Sequence, residues 1–194
     1  FFKTYVLHNK NNWKEILMKA DEVLMEELKA GNVKAFDLII YRYEKSLLNY
    51  LYRWIGNFHQ AEELCQEVFI RVYKSAMKFN SEQKFSPWLY RIANNLCIDT
   101  YRKDKNVKKV DIEDIDIVSP ENVEDKVEKD DLGRRVKKAV MSLPQDHRAV
   151  LILKHYQGLS YNEISEILGC PLGTVKSRMH YALIELKKAL DNGN

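Results

Sequence analysis

Lys176, Ser177, Arg178, His180 and Tyr181 stand close together near the C-terminal end of the chain. Side chains of these types hydrogen-bond phosphates and base edges. That chemistry needs a rigid carrier presenting one face, and the surrounding sequence supplies one. Ser160-Tyr161-Asn162-Glu163 has the form of a capping box: the Ser160 hydroxyl can accept from the Glu163 amide, and the Glu163 carboxylate can reach back. Ile164, Ile167 and Leu168 follow as a short apolar stripe. Gly169 stands where a helix leaves in a left-handed conformation, and Pro171 lies just beyond. A second helix is expected after Gly173-Thr174, with Val175, Met179, Ala182, Leu183 and Leu186 facing inward. Two helices joined by a short Gly-containing turn make a helix-turn-helix. A helical hairpin with a solvated face has the same caps and turn, so the geometry leaves both readings open.

Two further sets of side chains are chemically pointed. Glu62, Glu63, Gln66 and Glu67 give a polar, acidic face to a helix whose inner positions are Ala61, Leu64, Cys65, Val68, Phe69 and Val72. Such a face pairs with Arg on a partner helix and repels DNA, or is simply solvated. Downstream, Trp88, Arg91, Asn95 and Arg102 recur at i, i+3, i+7 and i+14, opposite Leu89, Ile92, Ala93 and Leu96. Aromatic, amide and guanidinium groups on one face suit single-stranded bases, by stacking and hydrogen bonding. The alternative is that Trp88 and Tyr90 are core. The five histidines are scattered, with no HExxH, GxSxG or phosphate-loop pattern. His147 and His155 lie eight apart and can meet on a helix, but a metal site needs more ligands. No cofactor, metal or catalytic residue is expected.

The elements that must carry these faces are helical. Among 194 residues there are only seven glycines and four prolines, and 45% of residues are apolar. That balance favours long helices around real cores, in one large or two small domains. Val23, Leu24 and Leu28 form a stripe closed by Gly31. Phe36, Ile39, Ile40, Tyr43, Leu47, Tyr50, Leu51 and Trp54 form a longer one ending near Gly56. Phe79 to Phe85 reads as a polar loop, and Ser86-Pro87 as the N-cap and first residue of the next helix, which runs to about Lys103. Val127, Leu132, Val136, Val140 and Leu143 suggest another helix, stopped by Pro144, and Ala149 to Tyr156 continues to Gly158.

Between Asp111 and Asp131 ten acidic residues face only Lys126 and Lys129, around Ser119-Pro120. Ile112, Ile115, Ile117 and Val118 alternate with the acids as a short strand would, but the charge density favours a flexible linker. Outside that stretch stand 29 basic and 18 acidic residues, a net of +11 against +3 for the whole chain. Two basic blocks therefore flank an acidic connector, and basic blocks are footprints for phosphate backbones. Cys65, Cys97 and Cys170 are odd in number and far apart, which fits a reducing cytoplasm. No apolar run approaches the ~20 residues of a membrane span, so no membrane insertion is expected.

The wording of these motifs resembles the extracytoplasmic-function (group IV) sigma factors of RNA polymerase. Gly158-Leu159-Ser160-Tyr161-Asn162-Glu163-Ile164, Leu168-Gly169 and Gly173-Thr174-Val175-Lys176-Ser177-Arg178 are similar to the family's C-terminal helix-turn-helix. LuxR-like regulators share that general pattern, but Leu143-Pro144 with Arg148 and Val150–Leu153 is closer to the sigma family. Ala61-Glu62-Glu63-Leu64, Gln66-Glu67-Val68-Phe69-Ile70 and Val72-Tyr73 resemble its polymerase-binding helix. Phe85-Ser86-Pro87-Trp88-Leu89-Tyr90-Arg91-Ile92-Ala93-Asn94-Asn95-Leu96, with Asp99 and Arg102-Lys103, resembles its −10 reading segment.

The resemblance implies an all-α fold of two small helical domains joined by a flexible acidic linker, the C-terminal one a helix-turn-helix. Residues 1–20 would be an N-terminal extension, 21–105 region 2, 106–126 the linker and 127–194 region 4. The implied function is promoter-specific initiation, with no enzymatic activity, for a stress- or envelope-response regulon. Partners would be core RNA polymerase through its beta-prime clamp, promoter DNA in duplex and single-stranded form, and an anti-sigma factor. Glu62, Glu63, Leu64, Gln66, Glu67 and Phe69 would face the polymerase. Asn80, Lys84, Phe85, Trp88, Arg91, Asn94, Asn95, Arg102 and Lys103 would meet the −10 element, with the Asn80–Lys84 loop bordering a pocket for an extruded base. Thr174, Lys176, Ser177, Arg178, His180 and Tyr181 would meet the −35 element. Tyr181 and Leu183 stand where the family commonly has Arg, and His59 where an acid is frequent. Fewer cations imply weaker phosphate anchoring. A helix-turn-helix regulator that does not engage polymerase is the alternative.

Opening one base step costs on the order of 1.4 kcal/mol, and one base captured on an aromatic returns about 1–3 kcal/mol. A captured base cannot support a bubble of many steps. The isolated protein is therefore expected to bind duplex promoter DNA weakly and open none of it. A permanganate footprint on promoter DNA checks this: reactive thymines should require polymerase, and a bubble with the protein alone contradicts the scheme.

Overall fold

The computed structural model describes residues 18–107 and 131–191. The N-terminal extension up to residue 17 and the acidic connector at 108–130, with its possible strand, lie outside the described residues. Eight α-helices are built from the described residues: α1 Asp21–Lys29, α2 Val33–Ile55, α3 Phe58–Ser75, α4 Phe85–Val107, α5 Asp131–Ser142, α6 Gln145–His155, α7 Tyr161–Leu168 and α8 Leu172–Asp191. A single 3-10 turn, Ala76–Lys78, extends α3.

Local chemistry explains the ends of these helices. α1 opens on Asp21 and Glu22 and closes on Lys29, charges that complement its dipole. Its buried face is Leu24, Met25 and Leu28, while Val23 is 47% exposed. The expected stripe was thus rotated by one residue: Met25, not Val23, completes it. α2 ends as expected at Gly56, whose φ of 87° lets its N–H return to the Tyr52 carbonyl at 2.7 Å. Asn57 then caps α3 by accepting from the Gln60 N–H at 3.0 Å.

α4 starts at Phe85, earlier than Ser86-Pro87 suggested. Its first amide donates to Glu22 Oε1 of α1 at 2.8 Å, so the cap comes from another helix rather than from the neighbouring serine. The preceding segment is not purely polar either. Phe79 is buried and packs on Phe85 and Trp88, with ring centroids 5.9 and 4.9 Å away. α8 likewise starts at Leu172 rather than after Thr174, because the Pro171 carbonyl accepts from the Thr174 and Val175 amides at 2.8 and 3.1 Å.

α1–α4 pack around Leu24, Ile39, Leu47, Leu51 and Leu89, all with no exposed surface. α5–α8 pack around Ile152, Leu153, Ile164 and Val175. Trp54 lies at the boundary of the two groups, 1% exposed, edge-on to Tyr101 and beneath the Arg148 guanidinium. There α2 touches α5 and α6, and α4 packs against α7.

Gly169 ends α7 at φ 61°, and a Cβ added there meets nothing within 4 Å. A side chain at Gly169 therefore costs only backbone strain, about 1–2 kcal/mol. Gly173 also has open space around it but sits in α8 without a positive φ. Urea unfolding should show Gly169→Ala destabilised by about that amount and Gly173→Ala neutral or slightly stabilised. Equal effects of the two substitutions contradict this account of the turn.

Candidate nucleic-acid interface

The helix-turn-helix is assembled by its cap. Ser160 Oγ accepts from the Glu163 N–H at 3.2 Å, and Glu163 Oε2 accepts from the Ser160 N–H at 2.9 Å and from its hydroxyl at 2.7 Å. Glu163 Oε1 meets Lys84 Nζ at 3.0 Å. The bonds from the Ser160 side chain and backbone, then Lys84, hold the Glu163 carboxyl at a pKa of about 2. α8 buries Val175, Met179 and Ala182 against this unit. Leu183 was expected inside with them and is 46% exposed.

On the other side of α8, Lys176, Ser177, His180 and Tyr181 are exposed and Thr174 is half-buried. Arg178 is half-buried too. It pairs with Asp146 of α6 and donates to Cys170 Sγ at 3.5 Å. Arg178 is thus braced from behind, where the sequence suggested a free side chain. His147 does not meet His155. Its Nδ1 lies 2.7 Å from Glu185 Oε2 and its ring stacks on Tyr181, with centroids 6.2 Å apart.

The α4 set divides into a surface group and a buried one. Lys84, Arg91, Asn95, Arg102 and Lys103 are exposed along one side, with Asn80 in the loop before them. Asn80 Oδ1 accepts from the Glu82 amide at 3.0 Å, which shapes that loop. Trp88 is half-buried against Phe79 and Phe85. Phe85 has no exposed surface, and Asn94 is 2% exposed and accepts from the Tyr50 hydroxyl at 3.2 Å. As placed, Phe85 and Asn94 support the helix rather than offer groups to a ligand. Tyr90 is buried, as the core alternative had it, and Trp88 is shared between core and surface.

The third set borders an open groove between α2 and α3. Phe36, Ile40 and Phe69 make its floor, and Glu44, Glu62 and Gln66 stand on its edge. Glu63 is exposed, and Glu67 is held by Arg71 at 2.7 Å, which lowers its pKa. Leu64 is 9% exposed and belongs to the core beneath. Burial pushes the Cys65 thiol up to about 12, leaving an inert wall. Sequence reading missed the α2 wall and the exposed apolar side of α3 and the turn that follows it. Ile70, Tyr73 and Met77 are 46%, 49% and 75% exposed, at i, i+3 and i+7. That second stripe, offset from the core stripe, was the available signal.

Comparison with known proteins bears on these surfaces. The Sigma-70 region 2 family model matches residues 39–107, and the Sigma-70 region 4 model matches residues 133–186. The ECF RNA polymerase sigma factor SigW of Bacillus subtilis is 37% identical over 86% of this chain and 94% of its own length. The RNA polymerase sigma-H factor of Pseudomonas aeruginosa is 32% identical over 90% of this chain and 96% of its own. The sigma factor RpoE of Bartonella quintana, solved in complex with the anti-sigma factor NepR, superposes with a TM-score of 0.67 at 25% identity. That match covers 82% of this chain and 98% of RpoE. The chain belongs to the extracytoplasmic-function family of RNA polymerase sigma factors. It is therefore a transcription initiation factor rather than an enzyme, acting with core RNA polymerase at promoter DNA. No helix among the described residues is long and apolar enough to cross a membrane.

The depressed Glu163 pKa fixes a sign. Its ionised form is favoured by folding, so its contribution is fully present above 4.5 and lost as pH falls from there towards about 2. Glu163→Gln keeps the side chain's reach and removes the charge. Denaturant midpoints should differ between wild type and variant at pH 6, draw together as pH falls below 4.5, and converge at about pH 2. A difference that stays constant across that range contradicts the assignment.

Proposed function

We propose that three surfaces divide the work of initiation. The α2–α3 groove and the acidic side of α3, through Glu62, Glu63, Gln66 and Glu67 with Phe69 in the floor and Leu64 behind it, take a basic amphipathic helix of the beta-prime clamp. The outer side of α4 takes the displaced −10 strand. Lys84, Arg91, Asn95, Arg102 and Lys103 offer the hydrogen bonds, Trp88 a stacking edge, and the Asn80–Lys84 loop the border of a pocket for one extruded base. The exposed side of α8 enters the major groove at the −35 element, with Lys176, Ser177, His180 and Tyr181 outward, Thr174 at the helix start and Arg178 braced by Asp146. On this reading residues 21–105 and 127–194 are the two working domains, residues 1–20 an extension and 106–126 an acidic tether.

The separation of charge carries the reading. Glu44, Glu62 and Gln66 border the apolar groove, with Lys74 also in its lining and Arg71 engaged by Glu67, whereas Lys84, Arg91, Arg102 and Lys103 line α4 and Lys176 and Arg178 the start of α8. A helix meant for DNA would not carry Glu62, Glu63 and Glu67, and one meant for a basic protein partner would not carry Lys176, Arg178 and His180. The setting is the bacterial cytoplasm, and the regulon is one that answers envelope or other stress. The complex of the Bartonella quintana relative with NepR supports control by an anti-sigma factor.

In-vitro transcription with core polymerase on a genomic fragment library locates the promoters. On such a promoter, Lys176→Ala and Arg178→Ala should each weaken holoenzyme binding at the upstream element about tenfold, the scale of one lost base or phosphate contact. Core affinity should be unchanged in both. Glu63→Lys should do the reverse. A loss of core affinity in the α8 variants would mean that α8 has been given the wrong partner.

A further inference from the structure

The Asn80–Lys84 loop stands on the surface of the first four helices, and α1 holds both of its ends. Residues 80–84 are all exposed, while Phe79 and Phe85 on either side are buried. Lys29 Nζ donates to the Phe79 carbonyl at 2.6 Å and lies over the Phe79 ring, 5.8 Å from its centroid. Glu22 Oε1 accepts from the Phe85 amide at 2.8 Å. Between these two on α1, Glu26 pairs with Lys29 at 2.7 Å, and the bond from Lys29, then one from Ser81 of the loop, holds its carboxyl below the usual carboxylate range. Glu22, Glu26 and Lys29 stand at i, i+4 and i+7, on one face of the helix. α1 is itself seated on α2, where the Tyr43 hydroxyl donates to Asp21 Oδ2 at 2.6 Å and Arg42 pairs with Asp21.

We propose that α1 is the positioning element of the −10 reader: Glu22 and Lys29, which lie neither on α4 nor in the loop, set the shape of the Asn80–Lys84 loop and so the base it admits. The inference rests on the assignment of that loop as the border of a pocket for one extruded base.

The two anchors act as a gauge. Lys29 and Glu22 are seven residues apart, about 10 Å along a helix. The six steps from Phe79 to Phe85 could reach about 20 Å if extended. A chain tied at two points closer than its own length bows outward, and the spacing of the ties sets how far. Within the bow, Asn80 Oδ1 accepts from the Glu82 amide and the Asn80 carbonyl from the Gln83 amide at 3.1 Å, so the loop answers its anchors as one turn. Ser86-Pro87 offers α4 a local start one residue on. The Glu22 bond instead extends the helix to Phe85 and so fixes where the loop ends. At the other end the Phe79 ring meets that of Trp88, the proposed stacking edge, with centroids 4.9 Å apart. Lys29 thus holds both the backbone of the loop and a ring that packs on Trp88. Its side chain is 19% exposed, so the bond is shielded from water and correspondingly firm. A pocket distinguishes bases only while its walls keep their places to about 0.5 Å. Loosened walls cost base discrimination first, because the backbone contacts of α4 carry no sequence information and remain.

The holoenzyme tests this on a promoter located as above and remade with each of the four bases at each −10 position. Competition between two such promoters in one transcription reaction reads the ratio of kcat/KM for the preferred base over the next. Glu22→Ala should lower that ratio at least fivefold at one −10 position and leave the −35 ratios and core affinity within twofold. Glu22→Gln, whose amide oxygen still accepts from Phe85, should restore it. Lys29→Met, which keeps the stem and loses the donor, should lower the ratio at the same position, and Lys29→Arg should not. If Glu22→Ala does not fold by circular dichroism, the Lys29 pair decides alone. Unchanged ratios in the folded variants overturn the proposal. So does a loss spread evenly over −10 and −35 positions, or a Glu22→Gln variant no better than Glu22→Ala. Asn80→Ala/Lys84→Ala separates the two levels. If it alters a −10 ratio and the α1 variants do not, the loop assignment stands and the positioning role fails. If it alters none, the loop assignment fails and the proposal with it.

Discussion

One buried cation ties the molecule together. Arg148 is 6% exposed, and its guanidinium donates to the Trp54 carbonyl at 2.9 Å, to the Leu143 carbonyl at 3.0 Å and to the Met141 carbonyl. The first lies at the end of α2 and the other two around the end of α5, so a single side chain satisfies orphan carbonyls of helices from both halves. It also lies over the Trp54 ring, 5.7 Å from the centroid. Burial lowers the Arg148 pKa, yet arginine stays charged at any relevant pH. Its removal leaves buried carbonyls without donors, at a cost of about 1–3 kcal/mol for each one left unsatisfied. The exposed Lys84–Glu163 pair, solvated and screened by salt, contributes far less by comparison. The union of the halves therefore depends on Arg148, Trp54 and the apolar surface around them, and the ion pair only tunes it.

From that constraint the placement of the surfaces follows. The end of α2 is fixed against α5 and α6, the start of α4 is brought onto α7, and the α2–α3 groove, lined by residues of those two helices, stays open. α8, packed on α5 and α6 by its apolar side, turns its polar side outward. Charge then sorts the surfaces without further machinery. Acids beside an apolar groove favour a basic protein partner, and cations on α4 and α8 favour nucleic acid. Tyr181 and Leu183, 54% and 46% exposed, add no cation to the α8 surface, so on the proposed assignment its hold on DNA depends the more on polymerase gripping the other half.

Features set within one helix were legible in the sequence. The long stripe from Phe36 to Trp54, the Gly56 stop, and the Ser160–Glu163 box with Gly169 all depend on residues a few positions apart. Features set by a distant partner were not legible. Glu22 caps α4 from sixty-three residues away, which moved its start from Ser86-Pro87 to Phe85. Phe85 and Asn94 sit in a motif that reads as an interface, yet an aromatic cluster and the Tyr50 hydroxyl draw both inside. Arg148 was visible as part of a family pattern, but its bond to Trp54 is a tertiary fact. The Ile70, Tyr73 and Met77 stripe was readable in principle and was hidden by the stronger core stripe beside it.

The division of surfaces is tested most directly by hydroxyl-radical footprinting of the chain alone, with core polymerase, and with core polymerase on a promoter. Tyr73 on α3 and Met77 in the turn after it, and His180 and Tyr181 on α8, are exposed and reactive, so one experiment reads both surfaces. Core polymerase alone should protect Tyr73 and Met77 and leave His180 and Tyr181 open, and promoter DNA should then protect the α8 pair. Protection of Tyr181 by core polymerase alone, with Tyr73 and Met77 unchanged, would contradict the account.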